Sequence, residues 1–336
     1  MTADELRRLA DELGLDVVGA APAAPYDETE RHIRDRRARG LFGSMRFTMA
    51  RPEVSCHPET LLDGARTLDS AALCYYEPGR SPGPGEARLP RYAWRDNYAQ
   101  LRERLDALGR RLGGAYRVLV DANQHVDRAG AERSGVGFIG KNTMLITRTH
   151  GSWVVLGTLV TDVEVEPTPA LDAGCGSCTL CIDACPTDAL RAEEPGVLDA
   201  TRCLSYWTQT AAPIPEDVMD ALGDRVYGCD ICQDACPWNR GVERRRSELP
   251  ASDDTEPVVR LADWLEPGGH GLDAVLERLF VPRNDPLWLR RNALVALGND
   301  ARPEDLPLAS SFLDDPDPVL RGVAGRAEAR IEERGT

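Results

Sequence analysis

The 336-residue chain is almost devoid of lysine: Lys141 is the only one, and its other basic residues are arginines. Acidic residues outnumber basic ones, which gives a formal net charge of −15. Such a protein does not attract nucleic-acid phosphates through its overall field, because phosphate neutralisation draws on basic surface. A nucleic-acid partner therefore requires a local concentration of arginine.

Long apolar runs and a secretory leader are also lacking. No run approaches the roughly 20 apolar residues that a membrane span needs, and the start, MTADELRRLADELGL, has no basic segment followed by an apolar one. We therefore expect a cytoplasmic protein with no membrane partner. Thiols stay reduced in the cytoplasm, so the ten cysteines are not expected to form disulfides.

Sequence patterns divide the chain into three regions and predict a multi-domain α+β fold. Residues 1–165 alternate extended patterns such as SAALCYY (70–76) with helical ones such as NYAQLRERLDALGRRLG (97–113), which predicts an α/β domain with a mixed sheet. Residues 166–248 hold eight of the ten cysteines. Residues 249–336 have the pattern of short helices, and the similarity of 287–297 to 319–329 predicts HEAT-like repeats, with a plain helical bundle as the alternative.

The cysteines form two sets. GCGSCTLCIDACPT (174–187) has the spacing C-x2-C-x2-C-x3-C-P, and YGCDICQDACPWN (227–239) repeats most of it, with Cys203 as the missing member. In bacterial ferredoxins of this spacing the fourth cysteine of a set binds the other [4Fe-4S] cluster. Cluster one is therefore assigned Cys175, Cys178, Cys181 and Cys236, and cluster two Cys185, Cys203, Cys229 and Cys232. Tetrahedral zinc is the alternative, although zinc sites rarely use the third cysteine and the trailing Cys-Pro.

Asp121 is the leading catalytic candidate. It ends the apolar strand AYRVLVD, and side chains at the carboxyl ends of strands face the ligand crevice of α/β sheets. A turn-forming or helix-capping role is the alternative. No G-x-G-x-x-G opens a helix after a strand, so a dinucleotide site is unsupported. Of the two remaining cysteines, Cys74 is predicted to be a small buried hydrophobe and Cys56 is given no role.

The whole chain resembles the epoxyqueuosine reductases. The matching stretches are LFGSMRF, LLDGARTL, PRYAW, the Val120–Asp121 pair, DRAGAERSGVGFIGKNTMLI, GSWVVLG, both cysteine sets and RRNALVALGN. The resemblance implies a nitroreductase-like cobalamin domain (1–165), a ferredoxin module with two [4Fe-4S] clusters (166–248) and a HEAT-like tRNA-binding tail (249–336). It implies reduction of epoxyqueuosine to queuosine at the tRNA wobble position, with electrons passing through the clusters to cobalamin.

The resemblance also implies roles for individual residues. Asp121 is expected to be the proton donor, which requires a pKa well above the ordinary value of about 3.9. Cobalamin contacts are expected from Asp127, Arg128, Lys141, Leu145, Leu156, Ser205, Gln209 and Asp230. The stretch RDNYA departs from the family, since Asn97 and Tyr98 stand where a Tyr-His pair is usual, and Ser55 stands near the place of an expected arginine.

The sequence also leads to predictions about the partners of the protein and about alternative functions. We expect a monomer that takes electrons from an external donor such as flavodoxin, or ferredoxin with its reductase. Candidate phosphate contacts are RHIRDRRAR (31–39), RGVERRR (240–246), and Arg283 with Arg290 and Arg291, against the alternative of solvated helix faces. The alternative functions are a cobalamin-dependent reductive dehalogenase, which would typically carry a twin-arginine signal, and a soluble iron–sulfur electron carrier.

Overall fold

The computed structural model describes residues 1–249, 252, 254–266 and 271–335, with the backbone alone at residue 274. Helices and strands are both present and are joined by long irregular segments. Among the described helices, none is both long enough and apolar enough to cross a membrane.

Eight strands and fifteen α-helices follow one another along the described chain. The strands are β1 (Val17–Pro22), β2 (Thr67–Cys74), β3 (Glu86–Arg88), β4 (Tyr116–Val120), β5 (Phe138–Ile139), β6 (Leu145–Ile146), β7 (Val154–Thr161) and β8 (Val258–Arg260). The helices are α1 (Ala3–Glu12), α2 (Asp27–Ala38), α3 (Pro52–Ser55), α4 (Asn97–Leu112), α5 (Asp127–Arg133), α6 (Leu180–Asp183), α7 (Leu204–Thr208), α8 (Glu216–Leu222), α9 (Ile231–Asp234), α10 (Arg240–Arg246), α11 (Leu261–Leu265), α12 (Gly271–Leu276), α13 (Leu287–Asp300), α14 (Leu306–Ser310) and α15 (Pro318–Gly335).

The main sheet has the strand order β1-β2-β7-β4, and every neighbouring pair in it is antiparallel. The prediction of a mixed sheet is therefore wrong. Strands β2 and β4 run in the same direction, but β7 lies between them, so they do not pair. β2 is buried along its whole length because both of its faces are covered, which explains the apolar run from Ala71 to Cys74.

Two amphipathic helices cover one face of the sheet. Helix α1 begins with a capping box, in which the Thr2 hydroxyl accepts from the Glu5 amide and the Glu5 carboxylate accepts from the Thr2 amide. Helix α4 is capped by Asp96 and buries Leu101, Leu105 and Leu108. These helices pack with β2 and β7 in one apolar cluster, which positions the end of β4.

One charged residue lies inside this part of the molecule without a partner. The Asp69 side chain is fully buried in β2, and neither of its carboxylate oxygens has a hydrogen-bond partner in the described structure. Desolvation therefore raises the pKa of Asp69 to about 7.

Helix α13 joins the C-terminal helices to the cysteine-rich region. The Arg291 guanidinium is buried and donates to the backbone oxygens of Trp207, Thr210 and Ala212. The neighbouring Asn292 amide donates to the oxygens of Thr208 and Val226. The expectation of a phosphate contact is therefore wrong for Arg291, because its donors already satisfy carbonyls that would otherwise be buried without partners.

Candidate cluster-binding and catalytic site

The first cysteine cavity is lined by Cys175, Cys178, Cys181 and Cys236, together with Asn142, Ile146, Pro237 and Trp238. Cys236 thus joins the three cysteines of the other set, as the ferredoxin spacing predicts. In the described residues no three His, Cys, Asp or Glu side chains converge closely enough for a single ion. Four cysteine thiols that line one cavity form the donor set that a [4Fe-4S] cluster uses.

The second group comprises Cys185, Cys203, Cys229 and Cys232. Burial raises the pKa of Cys203, and the nearby Cys185 charge raises it further. Burial likewise raises the pKa of Cys229 to about 12, with a smaller contribution from Cys203. The Cys232 pKa is also raised by burial, and both Cys229 and Cys203 add to it. Each of these four cysteines is half-buried, as expected for sulfurs that face an internal space.

Local structure explains how each motif gathers its sulfurs. Each set contains one short helical turn, α6 in the first set and α9 in the second. The turn holds the last but one cysteine of its set and ends two residues before the last cysteine. Left-handed glycines precede the turns, at Gly176 (φ 52°) and Gly228 (φ 57°). A Cβ on Gly228 would approach the Pro90 ring within 2.6 Å, so this backbone needs glycine. The proline after each set prevents the helical turn from continuing.

The GKN turn of the sequence contacts both cysteine groups. The Lys141 ammonium donates to the carbonyls of Gly176 (2.8 Å) and Cys178 (3.0 Å), and its amide lies 3.4 Å from the Cys175 sulfur. The buried Asn142 amide donates to the carbonyl of Cys232 at 3.5 Å. The only lysine of the chain therefore holds the loop that carries two sulfurs of the first cysteine cavity.

Asp121 follows β4 directly and has a left-handed backbone, with φ at 50°. Such a conformation is costly for a non-glycine residue and is often associated with functional sites. Asp121 is exposed, yet the surrounding protein partly desolvates its carboxyl. This desolvation raises the pKa of Asp121, the Asp127 charge raises it further, and the Arg102 charge opposes both.

A group of tyrosines lies beside Asp121. The Tyr92 ring is 6.5 Å from the rings of both Tyr98 and Tyr227. Burial raises the pKa of Tyr98, and the charges of Asp121 and Asp127 add to it. Tyr227 is also near enough for the Asp121 charge to contribute to its raised pKa of about 12, for which burial is the main cause. We refer to Asp121, Tyr98, Tyr227 and Gln209 as the Asp121 site.

Several expected cofactor contacts adjoin this site. The Gln209 amide donates to the Ser205 hydroxyl (3.0 Å), and the Tyr227 hydroxyl donates to the Gln209 carbonyl oxygen (3.2 Å). Asp127 begins α5, and the exposed Arg128 is close enough to lower the pKa of Tyr98. These side chains offer amide, hydroxyl and charged groups around an aromatic surface.

The remaining predicted contacts are two leucines and one acidic residue, and Leu156 adjoins Gly157, which pairs with Val120 directly before Asp121. Leu145 is buried, and the half-buried Leu156 of β7 packs against the same apolar cluster. Asp230 lies between two cysteines of the second group and accepts from the Arg91 amide at 2.7 Å. Its enclosure raises the pKa of Asp230 to about 6. Cys74 is buried in the apolar cluster, as predicted for a small hydrophobe.

Sequence reasoning missed two residues that contact the predicted site residues. One is Tyr227, whose position two residues before Cys229 was the available signal. The other is the buried His125, whose ring nitrogens lie 2.9 Å from the Tyr26 hydroxyl and 3.3 Å from the Asp127 carboxylate. Tyr26 is 99 residues away in sequence, so no local pattern could indicate this contact.

Comparisons with known proteins identify relatives of this chain. Residues 174–239 match the 4Fe-4S double cluster binding domain. The chain is similar to an epoxyqueuosine reductase of Bacillus anthracis, with 33% identity covering 95% of this chain and 86% of that protein. One of Xanthomonas campestris pv. campestris is 34% identical over 98% of this chain and 96% of that protein. A crystal structure of epoxyqueuosine reductase with an epoxyqueuosine-modified tRNA-Tyr stem loop has a TM-score of 0.86 and 31% identity, and the match covers 98% of this chain and 89% of that one.

Proposed function

Because this chain belongs to the epoxyqueuosine reductase family, we propose that it reduces epoxyqueuosine to queuosine at the wobble position of tRNA. The observation that carries the proposal is the presence of two cysteine groups and of a strained Asp121 with a raised pKa in a chain related to these enzymes over nearly its full length. Opening the epoxide to an alkene consumes two electrons and two protons and releases one water. The chain must therefore supply sites for electron carriers and a proton donor.

The residues present suit the cofactors of such a reaction. The sulfurs of Cys175, Cys178, Cys181 and Cys236 would hold one [4Fe-4S] cluster, and those of Cys185, Cys203, Cys229 and Cys232 the other. The polar and aromatic side chains of the Asp121 site, with Ser205 and Leu156, have the chemistry to flank a cobalamin. When bound, these groups supply low-potential electrons and a reducible cobalt.

The protein's own contribution centres on the proton of Asp121. A carboxyl of ordinary pKa would be almost wholly ionised at neutral pH. Desolvation and the Asp127 charge increase the fraction of Asp121 that carries a proton. The Asp121 oxygen would donate this proton to the oxygen that leaves the substrate. Turnover should therefore be constant below the raised pKa of Asp121 and fall as the pH rises through it.

The proposal extends to the regions and partners of the chain. We assign residues 1–165 to a nitroreductase-like cobalamin domain, 166–248 to a ferredoxin module and 249–336 to a HEAT-like tRNA-binding tail. An external donor such as flavodoxin or ferredoxin with its reductase, a monomeric state and a cytoplasmic location belong to the same proposal. Membership of the reductase family favours this function over a dehalogenase, and the Asp121 site is superfluous in a simple electron carrier.

The test is the Asp121→Asn variant. The amide keeps the size of the side chain but cannot act as the acid, so turnover should fall by about 100-fold or more. Nucleoside mass spectrometry of tRNA from a strain that accumulates epoxyqueuosine gives the readout, and iron, sulfide and cobalamin contents should match those of the unchanged protein.

Asp63→Asn is the matched control, because Asp63 is an exposed carboxylate outside the site. An Asp121→Asn protein with full activity would remove the assignment of the acid. Failure of the unchanged protein to convert epoxyqueuosine would remove the proposed function itself.

A further inference from the structure

Phe280 is an unusual surface residue. Its side chain is 69% exposed, whereas its neighbours Leu279 and Val281 are each 2% exposed and belong to the main C-terminal apolar cluster. The buried neighbours fix the chain on both sides, so Phe280 is held outward. Aromatic side chains are enriched at interfaces relative to the rest of the surface, and they offer a flat face on which a base can stack.

The backbone of Phe280 is also held by the Asp121 site. Its amide donates to the Tyr227 hydroxyl at 2.8 Å, and the same hydroxyl lies 3.0 Å from the Phe280 carbonyl oxygen. The Tyr227 hydroxyl also contacts Gln209. One tyrosine thus links the exposed ring to residues that surround the proposed proton donor.

The segment that follows Phe280 is strained and cationic. Arg283 and Asn284 are consecutive non-glycine residues with left-handed backbones, with φ at 60° and 53°. Both are exposed, and within the described ranges no carboxylate forms an ion pair with Arg283. Two strained residues in succession persist only where the surrounding structure holds them, and such strain is concentrated at ligand-binding segments.

From these observations we propose that residues 280–284 form a contact for the single-stranded loop of the RNA, in which a base stacks on Phe280 and Arg283 binds a backbone phosphate. This inference rests on the proposed function, which makes a tRNA the substrate. Every base has a face that can stack on an aromatic ring, and an unpaired loop leaves such faces accessible. Stacking also requires no net charge, which suits a protein with a net charge of −15.

The experiment measures binding of a fluorescently labelled, unmodified anticodon stem-loop RNA by anisotropy at several salt concentrations. Phe280→Ala should bind about tenfold more weakly. Phe280→Leu should be similarly weak, because it keeps an apolar side chain without an aromatic face, and Phe280→Trp should restore binding. Arg283→Gln should reduce the salt slope by about 0.7, whereas Phe280→Ala should leave that slope unchanged.

Leu249→Ala is the matched control, since Leu249 is 52% exposed and lies outside this segment. Thermal melts should be unchanged in every variant, because all the substituted side chains are exposed. Phe280→Leu binding as tightly as the unchanged protein would overturn the stacking. A Phe280→Ala defect confined to reduction by the electron donor would instead make the segment a protein contact and also overturn the inference.

Failure of the proposed RNA contact can be distinguished from failure of the proposed function. If the unchanged protein converts epoxyqueuosine and Phe280→Ala does so with an unchanged KM, the inference alone fails. If the unchanged protein neither binds the stem-loop nor converts its nucleoside, the proposed function fails.

Discussion

The main sheet and the cysteine-rich region are stabilised in different ways. The sheet buries a large apolar cluster from α1, α4, β2 and β7, and its local sequence patterns agree with its structure. Between residues 174 and 239 the helices are only four to seven residues long, and the apolar clusters are small. Short helices are marginal without tertiary support. The comparison indicates that the sheet region is stable without bound groups, whereas the cysteine-rich region requires its clusters.

The largest expected effect comes from removing cysteines in pairs. Cys181→Ala with Cys236→Ala should remove one cluster and leave half of the iron, because these sulfurs line one cavity. Cys181→Ala with Cys185→Ala should remove both clusters, because these sulfurs belong to different groups.

Iron and sulfide analysis after anaerobic purification measures both outcomes. Tryptophan fluorescence of the sheet region, through Trp153, should report a folded protein in each case. Equal iron in the two double variants would contradict the crossed assignment, and loss of the sheet fold would contradict the comparison.

A smaller but substantial effect is expected from the unpartnered Asp69 in the sheet. Its folded-state pKa of about 7 lies above the unfolded value of 3.8. Between these two values the folded state binds more protons at Asp69 than the unfolded state does. The free energy of unfolding therefore falls as the pH rises through about 7. Between pH 5.5 and 8.5 the loss should be about 2 kcal/mol.

Asp69→Asn should lack this pH dependence and be the more stable protein at pH 8.5. Urea unfolding followed by tryptophan fluorescence at both pH values provides the measurement, with the exposed Asp63→Asn as control. An unchanged pH dependence in Asp69→Asn would show that another group causes it.

Lys141 provides a third test, because it joins the GKN turn to the cysteine loop. Lys141→Met removes two charge-assisted hydrogen bonds to that loop, so the first cluster should be lost to a chelator about tenfold faster. The release of the second cluster should keep its rate. The time course of iron release under anaerobic conditions separates the loss of the first cluster from that of the second. Lys141→Arg should release the first cluster more slowly than Lys141→Met does. Equal acceleration of both losses would argue against a local role.

The smallest effect is expected at the N-terminus of α1. Thr2→Ala removes the side-chain acceptor for the Glu5 amide and should cost about 1 kcal/mol of unfolding free energy. Urea unfolding should detect this loss, and the iron content should stay constant because the cap is remote from the cysteines. Thr2→Ser should behave as the unchanged protein. A change in iron content would mean that the two regions are more strongly coupled than the comparison implies.

Local patterns predicted much of this molecule. The strand near 70–76, the helix that begins at Asn97 and the strand that ends before Asp121 all occur, with bounds shifted by a few residues. The order of the strands did not follow, because pairing depends on which segments meet across the chain. The same limit applies to Arg291. The sequence around it suggests an exposed cation, but in the structure its guanidinium is buried and donates to a backbone oxygen of α7.

The sequence by itself predicted the cysteine sets and their crossed assignment, because their spacing is that of bacterial ferredoxins, in which the last cysteine of each set binds the other cluster. It also determined the main helices and strands, since capping and apolar periodicity act over a few residues. Only the tertiary structure decided the surroundings of Asp121, including Asp127, Tyr98 and Tyr227, and the outward position of Phe280. Desolvation and charge act through space, and they depend on neighbours that the order of residues does not reveal.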